Sequence, residues 1–178
     1  MLPQDILHFW FEAHGPTDWY AKSELFDAEI REKFAETYAQ VIAGETTAWR
    51  ATMQGRLAEI IVLDQFARNM FRGTAAAFVH DDLALDLAKQ AIAAGELNQL
   101  TPPEKHFLLM PYMHSESQQV HLEALRLFTE HGNADALRYE QLHKNIIDRF
   151  GRYPHRNTLL GRTSTQEEIE FLKTNPGF

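Results

Sequence analysis

Residues 57–72 read Leu-Ala-Glu-Ile-Ile-Val-Leu-Asp-Gln-Phe-Ala-Arg-Asn-Met-Phe-Arg, and their pattern is the strongest indication of how the chain folds. At 100° per residue, the apolar side chains of this stretch cover most of the circumference of a helix. Such a helix lies at the centre of a protein, because only there can every apolar face be buried. We therefore predict a central helix over about residues 53–72, ended by Gly73.

Three charged residues line one face of this predicted helix at positions i, i+4 and i+8, namely Asp64, Arg68 and Arg72. On a central helix such charges are partly buried, so they must be paired or must bind something. Asp64 and Arg68 form an i, i+4 pair with the acid first, which is the more favourable order. The pair is either a structural salt bridge or part of a binding site. Two arginines against one aspartate leave a surplus of positive charge.

The remaining sequence predicts further helices and no strands. Apolar residues recur at helical spacing, and no stretch shows period-two alternation or an Asn-Gly or Asp-Gly hairpin signal. The predicted helices are 6–11, 23–44, 81–95, a segment opening at Pro102, one through 120–128, 137–150 and a last one capped by Thr165. Pro111 is expected to kink or interrupt the segment that opens at Pro102.

The short connections between these helices favour a compact all-α fold. We predict one helical domain, residues 1–178, built as an array of antiparallel helix pairs that is tetratricopeptide-like. The sequence shows no clean tetratricopeptide repeat, so a strict repeat protein is not predicted.

Composition places the chain among ordinary globular proteins and excludes several classes of function. The 178 residues are 44% hydrophobic and 24% charged, and none is cysteine. Disulfides, thiolate zinc sites and cysteine nucleophiles are therefore excluded. No leader-like start and no apolar run of transmembrane length occur, so we expect a soluble protein of the cytoplasm. The formal net charge of -8 argues against nucleic acid and membranes as partners, because both attract positive surfaces.

A basic stretch near the C-terminal end contrasts with this acidic composition. Residues 150–157 read Phe-Gly-Arg-Tyr-Pro-His-Arg-Asn, and Gly151 and Pro154 break any helix there. From residue 143 to residue 162 the chain carries five Lys or Arg and one acid, a net charge of +4, which leaves -12 for the rest. The donors on this short, stiff loop suit a small anionic ligand. They are Arg152, His155, Arg156 and Asn157. The alternative is that these arginines pair with acidic helices as scaffold.

A third polar stretch is His114-Ser115-Glu116. If the helix resumes soon after Pro111, His114 and His121 share one face two turns apart, which is too far to chelate one metal without a third ligand. No nucleophile elbow surrounds Ser115, so a serine nucleophile is a weak interpretation.

His143 lies on the core-facing stripe of its predicted helix. A histidine there is either a hydrogen-bonded core residue or, because the helix runs into the Arg152 loop, part of a site. The types of His114, Glu116, His143 and His155 suit zinc or iron. However, neither His-Glu-x-x-His nor Glu-x-x-His occurs, so no metal site is predicted.

Taken together, the motifs resemble a bacterial family of domains of unknown function, number 924. The matching stretches are 63–73, 110–116, 150–157 and 160–165 with Glu167 and Glu168. The resemblance covers essentially the whole chain and implies an all-helical fold similar to tetratricopeptide arrays. It implies no activity, since the family is defined without one.

Two functions of different classes are compatible with these patterns. The first is a pocket for a phosphate- or carboxylate-bearing ligand, in which His114 or His143 is a general acid or base oriented by Glu116 or Asp64. Proton transfer or hydrolysis would then be the chemistry, and nothing predicts a redox cofactor. The predicted ligand-binding residues are Asp64, Arg68, Asn69, Arg72, Arg152, His155, Arg156 and Asn157.

The second function is a helical module that binds a peptide or protein in a concave groove. A third possibility is that the polar motifs form a buried network that only specifies helix packing. The polar residues cluster in three short motifs and do not repeat along helix faces, which favours the pocket. The pocket hypothesis requires Arg68, His114, His143 and Arg156 to approach one another.

Overall fold

The computed structural model describes residues 1–175 and Gly177, and every regular element in this part of the chain is helical. The predicted all-α fold is therefore confirmed. The α-helices are α1 Pro3–His8, α2 Pro16–Trp19, α3 Glu24–Ile42, α4 Met53–Ile61, α5 Ala67–Met70, α6 Asp81–Ala93, α7 Pro102–His114, α8 Gln118–His131, α9 Ala134–Phe150 and α10 Gln166–Leu172. Turns of π-helix occupy Phe9–Ala13 and Val62–Phe66, and 3-10 turns occupy Thr47–Ala51, Ala75–Phe78, Leu97–Gln99 and Pro154–Arg156.

Local capping chemistry sets several of the helix ends as the sequence predicts. The Ser23 hydroxyl accepts from the Phe26 amide at 3.3 Å and starts α3. Gly151 ends α9 in the left-handed region, at φ 67°, which glycine adopts without a steric penalty. Thr165 and Glu168 form a reciprocal capping box that starts α10. The caps at Gly151 and Thr165 thus fix the two ends of the basic loop between α9 and α10.

The central helix consists of α4, the π turn and α5, and its burial confirms the prediction from residues 57–72. Its residues from Leu57 to Ala67 are buried on all sides. The π turn Val62–Phe66 carries Asp64 and Gln65 into the core. The α-helix ends at Met70, earlier than the predicted end at residue 72. Arg72 therefore leaves the stripe of Asp64 and Arg68, and the predicted i, i+8 alignment is wrong.

Of the two effects predicted for Pro111, a kink or an interruption of its helix, the interruption is wrong. α7 runs without a break from Pro102 to His114, with Phe107–Met113 buried on all sides. Tertiary packing of this segment outweighs the one hydrogen bond that proline removes. The chain breaks instead after His114, and the Ser117 hydroxyl caps α8. His114 and His121 thus belong to different helices, so they do not share a face as predicted.

Buried side chains from Ile6 to Ala136 form one contiguous hydrophobic cluster around the central helix. Short connections join α7, α8 and α9, which pack against one another in that order. The tetratricopeptide-like arrangement stays a prediction. None of the described helices combines the length and the apolar character that crossing a bilayer requires.

Candidate functional site

The site is built around a pairing between the central helix and the last residue of α7. His114 Nδ1 lies 2.7 Å from Oδ1 of Asp64. Asp64 is fully buried in the π turn, whereas the His114 side chain keeps 11% of its exposure. Gln65 donates to the other Asp64 oxygen, Oδ2, at 2.6 Å. The carboxylate thus holds the imidazole in one orientation at the edge of the core.

The charges around Asp64 determine which nitrogen of His114 carries the proton. Burial alone would raise the pKa of Asp64, but the Arg68 charge and the donors His114 and Gln65 outweigh it and lower that pKa. Asp64 is therefore ionised and accepts a proton-bearing Nδ1. Burial lowers the pKa of His114 and Arg68 lowers it further, against the opposing effect of Asp64. His114 is thus neutral at neutral pH, and its Nε2 is an unprotonated base.

Arg68 connects this pair to the start of α6. Its Nη1 lies 3.2 Å from Asp64 Oδ1 and donates to the Asp64 carbonyl at 2.7 Å. Its two Nη groups also donate to both oxygens of Asp81, each at 3.0 Å. The predicted Asp64–Arg68 salt bridge is confirmed, and Asp81, which the sequence suggested only as a helix start, is its second counter-charge.

Arg156 is the second arginine of the site, and it is far less well paired. Its side chain is only 7% exposed, yet that side chain makes a single hydrogen bond to the described residues, from Nη1 to Asp81 at 3.3 Å. The buried Nε has no partner there. The guanidinium lies 4.7 Å from the centre of the Phe78 ring and 4.6 Å from that of Tyr153. Both rings pack against the guanidinium without offering it a hydrogen-bond acceptor, so a further acceptor would have to bind at its N–H groups.

Tyr153 also links Arg156 to His143 and His155. The His143 and His155 rings lie 5.7 and 5.6 Å from the Tyr153 ring. His143 donates from Nδ1 to the Tyr139 carbonyl at 2.8 Å. Burial lowers the pKa of His143 to about 3 and that of His155 to about 4. Both rings are neutral at neutral pH, which does not support the expected change of charge of His143 near pH 7.

Glu116 holds the basic loop in place, while Asp64 is the residue that orients His114. Glu116 accepts from both Nη groups of Arg162, at 2.6 and 2.9 Å, and from the Tyr153 amide at 2.7 Å. Burial would raise the pKa of Glu116, but these donors lower it. Glu116 is thus an ionised anchor that ties the loop to the link between α7 and α8.

Two groups of predicted ligand-binding residues lie outside this cluster. Asn69 and Arg72 both donate to Asp27 of α3, each at 2.8 Å. Arg152 donates to both oxygens of Glu168, at 2.7 and 2.9 Å.

Asn157 is also turned away from the cluster. It donates to the Ser164 hydroxyl at 3.0 Å, while its buried Oδ1 has no partner among the described residues. The predicted surplus of positive charge is absent, since Asp27 pairs with Arg72, and Asp64 and Asp81 balance Arg68 and Arg156.

The structure therefore brings Asp64, Arg68, His114, His143, His155 and Arg156 together and adds Asp81, Phe78 and Tyr153, which sequence reasoning missed. Tyr153 lies inside the basic loop, so its position in the sequence could have placed it among the predicted site residues. The pairing of Asp81 with Arg68 and Arg156 had no local signal, because the partners lie 13 and 75 residues away.

The described residues contain no group of three His, Asp or Glu side chains placed to hold a metal ion. Two surface hollows of about 440 and 430 Å³ lie along α8, where Arg126 and Glu130 line both. Neither hollow is lined by residues of the cluster around Asp64 and Arg156.

Comparison with known proteins places the chain within one group. A family model described as "Bacterial protein of unknown function (DUF924)" matches residues 6–176. The chain is similar to the solved structure of a protein of unknown function from Agrobacterium tumefaciens, with 34% identity, 97% of each chain covered and a TM-score of 0.92. No curated protein matches the chain.

Proposed function

The chain belongs to a bacterial family of unknown function, DUF924, and from the geometry of its site we propose that this site binds a small anion. The anion is a phosphate- or carboxylate-bearing molecule held by Arg156, and His114 exchanges a proton with it. The fold brings both residues to the same cluster, Arg156 at Asp81 and His114 at Asp64.

The observation that supports it best is the under-paired guanidinium of Arg156. A buried charge is costly unless it is paired and hydrogen-bonded. Arg68 meets that condition with two aspartates, whereas Arg156 has a single 3.3 Å bond to an aspartate that it shares. Its Nη2 makes no hydrogen bond to the described residues. An anion at that edge of Arg156 would supply the missing acceptor.

The charge balance of the cluster couples anion binding to a proton. Two arginines and two aspartates sum to zero while His114 is neutral. An added anion makes the cluster negative, which favours protonation of His114 at Nε2. The same geometry serves catalysis, because an imidazole oriented by a buried carboxylate is a suitable general base. The expected chemistry is proton abstraction or hydrolysis.

A thermal-shift titration with inorganic phosphate and with malonate tests the proposal, using sodium chloride at equal ionic strength as the reference. A ligand present at a hundred times its Kd adds about 2.7 kcal/mol, which raises the melting temperature of a chain of this size by roughly 5–10 °C. We expect this rise for the wild type and its loss in Arg156→Gln. That variant should itself remain folded, because it removes one long hydrogen bond and two contacts with aromatic rings, while Asp81 keeps its pairing with Arg68.

Arg126→Gln is the matched control, since Arg126 is a half-exposed arginine paired with Glu123 and Glu130 on α8. This variant should keep the full response to phosphate and malonate. A response that survives in Arg156→Gln, or one that disappears in Arg126→Gln, would place the anion elsewhere. The absence of any response in the wild type would contradict anion binding.

A further inference from the structure

A second histidine–carboxylate pair lies beneath the site and takes no part in the proposed chemistry. His121 of α8 and Glu140 of α9 are both fully buried, and His121 Nδ1 lies 2.7 Å from Glu140 Oε1. The other Glu140 oxygen, Oε2, is buried and has no partner among the described residues. Burying a polar pair of this kind costs free energy unless its groups find hydrogen-bond partners.

The free side of His121 faces the backbone that carries His114. Nε2 of His121 lies 2.8 Å from the Ser115 carbonyl and 3.1 Å from the Tyr153 hydroxyl. The Tyr153 hydroxyl in turn donates to the Met113 carbonyl at 2.6 Å. The carbonyls immediately before and after His114 are therefore both tied into the same buried cluster.

The hydrogen bonds also fix where the protons are. A carbonyl oxygen only accepts, so Nε2 of His121 must carry a hydrogen to bond to Ser115. One further proton lies between Nδ1 and Glu140 Oε1. The lack of a partner at Oε2 favours a protonated Glu140 that donates to a neutral imidazole over a carboxylate–imidazolium pair, because the pair would leave a charged oxygen buried without a hydrogen bond. Burial raises the pKa of Glu140, which agrees with this assignment.

From these contacts we infer that His121 and Glu140 are positioning residues for the site above them. Glu140 fixes the tautomer of His121, and His121 then holds Ser115 and Tyr153. Ser115 sets the end of α7 from which His114 projects, and Tyr153 provides the ring on which Arg156 lies. The pair thereby fixes the positions of His114 and Arg156 relative to each other. This role deepens the proposed function and rests on it, although the effect on His114 can be measured without any ligand.

Residue 140 must donate a proton to His121 if the pair is to hold Ser115. Two substitutions separate the effect of this hydrogen bond from the effect of filling the space. In Glu140→Gln the amide can donate to Nδ1, so Nε2 of His121 keeps its hydrogen. In Glu140→Met a side chain of similar length fills the space without donating. Glu59→Met is the matched control, because Glu59 is also fully buried but bonds to Thr46 and Arg50, outside the site.

The pKa of His114 is measured by NMR through its ring Cε1–H resonance in each variant. In the wild type burial holds this pKa below its ordinary value of 6.5. We expect Glu140→Met to move it back towards 6.5, because a loosened Ser115 lets water reach the imidazole. Glu140→Gln and Glu59→Met should leave it unchanged. If Glu140→Met does not fold, Tyr153→Phe, which keeps the ring and removes the tie to Met113, should shift it in the same direction.

Phosphate binding by the same variants distinguishes the two proposals. A shifted His114 pKa together with weakened phosphate binding supports the positioning role at a working site. A shifted pKa in a protein whose wild type ignores phosphate would retain the positioning of His114 and reject the anion proposal. An unshifted His114 pKa in a folded Glu140→Met, with a loss of stability like that of Glu59→Met, would overturn the inference and leave the pair a structural one.

Discussion

Two histidine–carboxylate pairs with the same 2.7 Å separation lie in this molecule, and they differ in what surrounds them. Asp64 pairs with a histidine whose Nε2 makes no hydrogen bond to the described residues. Glu140 pairs with a histidine whose Nε2 bonds to the Ser115 carbonyl. A nearby arginine keeps Asp64 ionised, whereas no arginine contacts Glu140.

The difference shows that the pair alone does not define a role. With Arg68 beside it, the carboxylate of Asp64 is a charge that makes His114 a neutral base with a free lone pair. Lys144, whose ammonium bonds to Asp148, opposes the effect of burial on Glu140 only in part, so by the inference above Glu140 keeps its proton and His121 is a fixed donor to the backbone. The same two functional groups thus leave an unprotonated nitrogen at the edge of the core in one place and a fully bonded, buried imidazole in the other.

The largest effect is expected from replacing each carboxyl group by the amide of the same shape, because the replacement removes a charge only at Asp64. Asp64→Asn removes one of the two counter-charges of Arg68 and the charged acceptor of His114, and it should lower the free energy of unfolding by about 3–5 kcal/mol. Glu140→Gln replaces a group that is already neutral, so we expect a loss of about 0.5–1.5 kcal/mol, the contribution of one hydrogen bond. Urea unfolding monitored by circular dichroism measures both values.

A loss in Glu140→Gln as large as that in Asp64→Asn would mean that Glu140 is ionised in the folded protein. The proposed difference in protonation between Asp64 and Glu140 would then be wrong. Arg126→Gln, on the surface of α8, is a suitable reference, because altering a solvent-exposed ion pair changes stability very little.

This contrast also marks the limit of what the sequence could predict. The burial of Asp64 followed from the apolar pattern of residues 57–72, because helical periodicity is a local property. Its partner His114 lies 50 residues away in the sequence, and only the packing of α7 against the central helix brings them together. The motif His114-Ser115-Glu116 was identified as polar, but the roles of its members depend on contacts that spacing does not encode.

The basic loop illustrates the same limit. Arg152 and Arg156 are equivalent in composition, and both were predicted to bind the anion. The fold separates them, because the capping box of α10 places Glu168 beside Arg152, while the 3-10 turn Pro154–Arg156 leads Arg156 to Phe78 and Asp81. No periodic pattern spans such a short turn, so the choice between the two arginines required the structure.

A smaller effect is expected in the pH dependence of stability, and it has opposite signs for the two pairs. The folded pKa of Asp64 is lowered, so its contribution is present above its ordinary value of 3.8 and is lost as the pH falls through the folded pKa. Arg68, His114 and Gln65 are the groups that face it. The folded pKa of Glu140 is raised, so its contribution is full below its ordinary value of 4.5 and is lost as the pH rises through the folded pKa. His121 and Lys144 act on it.

Urea unfolding of the wild type and the two variants over acidic to neutral pH measures this dependence. The stability difference between the wild type and Asp64→Asn should shrink as the pH falls below 3.8. The difference between the wild type and Glu140→Gln should shrink as the pH rises above 4.5. Differences that change in the same direction for both variants would contradict the assigned protonation states.

The smallest perturbation is chemical modification of the two imidazoles in the folded wild type. Diethyl pyrocarbonate acylates an unprotonated imidazole nitrogen that it can reach. His114 offers such a nitrogen at the edge of the core, whereas both nitrogens of the fully buried His121 are bonded. We therefore expect modification of His114 and none of His121, read out by mass spectrometry of the peptides that contain each residue.

Protection by phosphate links this measurement to the proposed anion. If phosphate binds at Arg156, it should slow the modification of His114, because a bound anion covers Nε2 and favours its protonation. The partly exposed His131 of α8, which lies outside the site, should react at the same rate with and without phosphate. Modification of His121 at the rate of His114 would show that the lower pair opens as readily as the upper one, which a rigid support for the site cannot do.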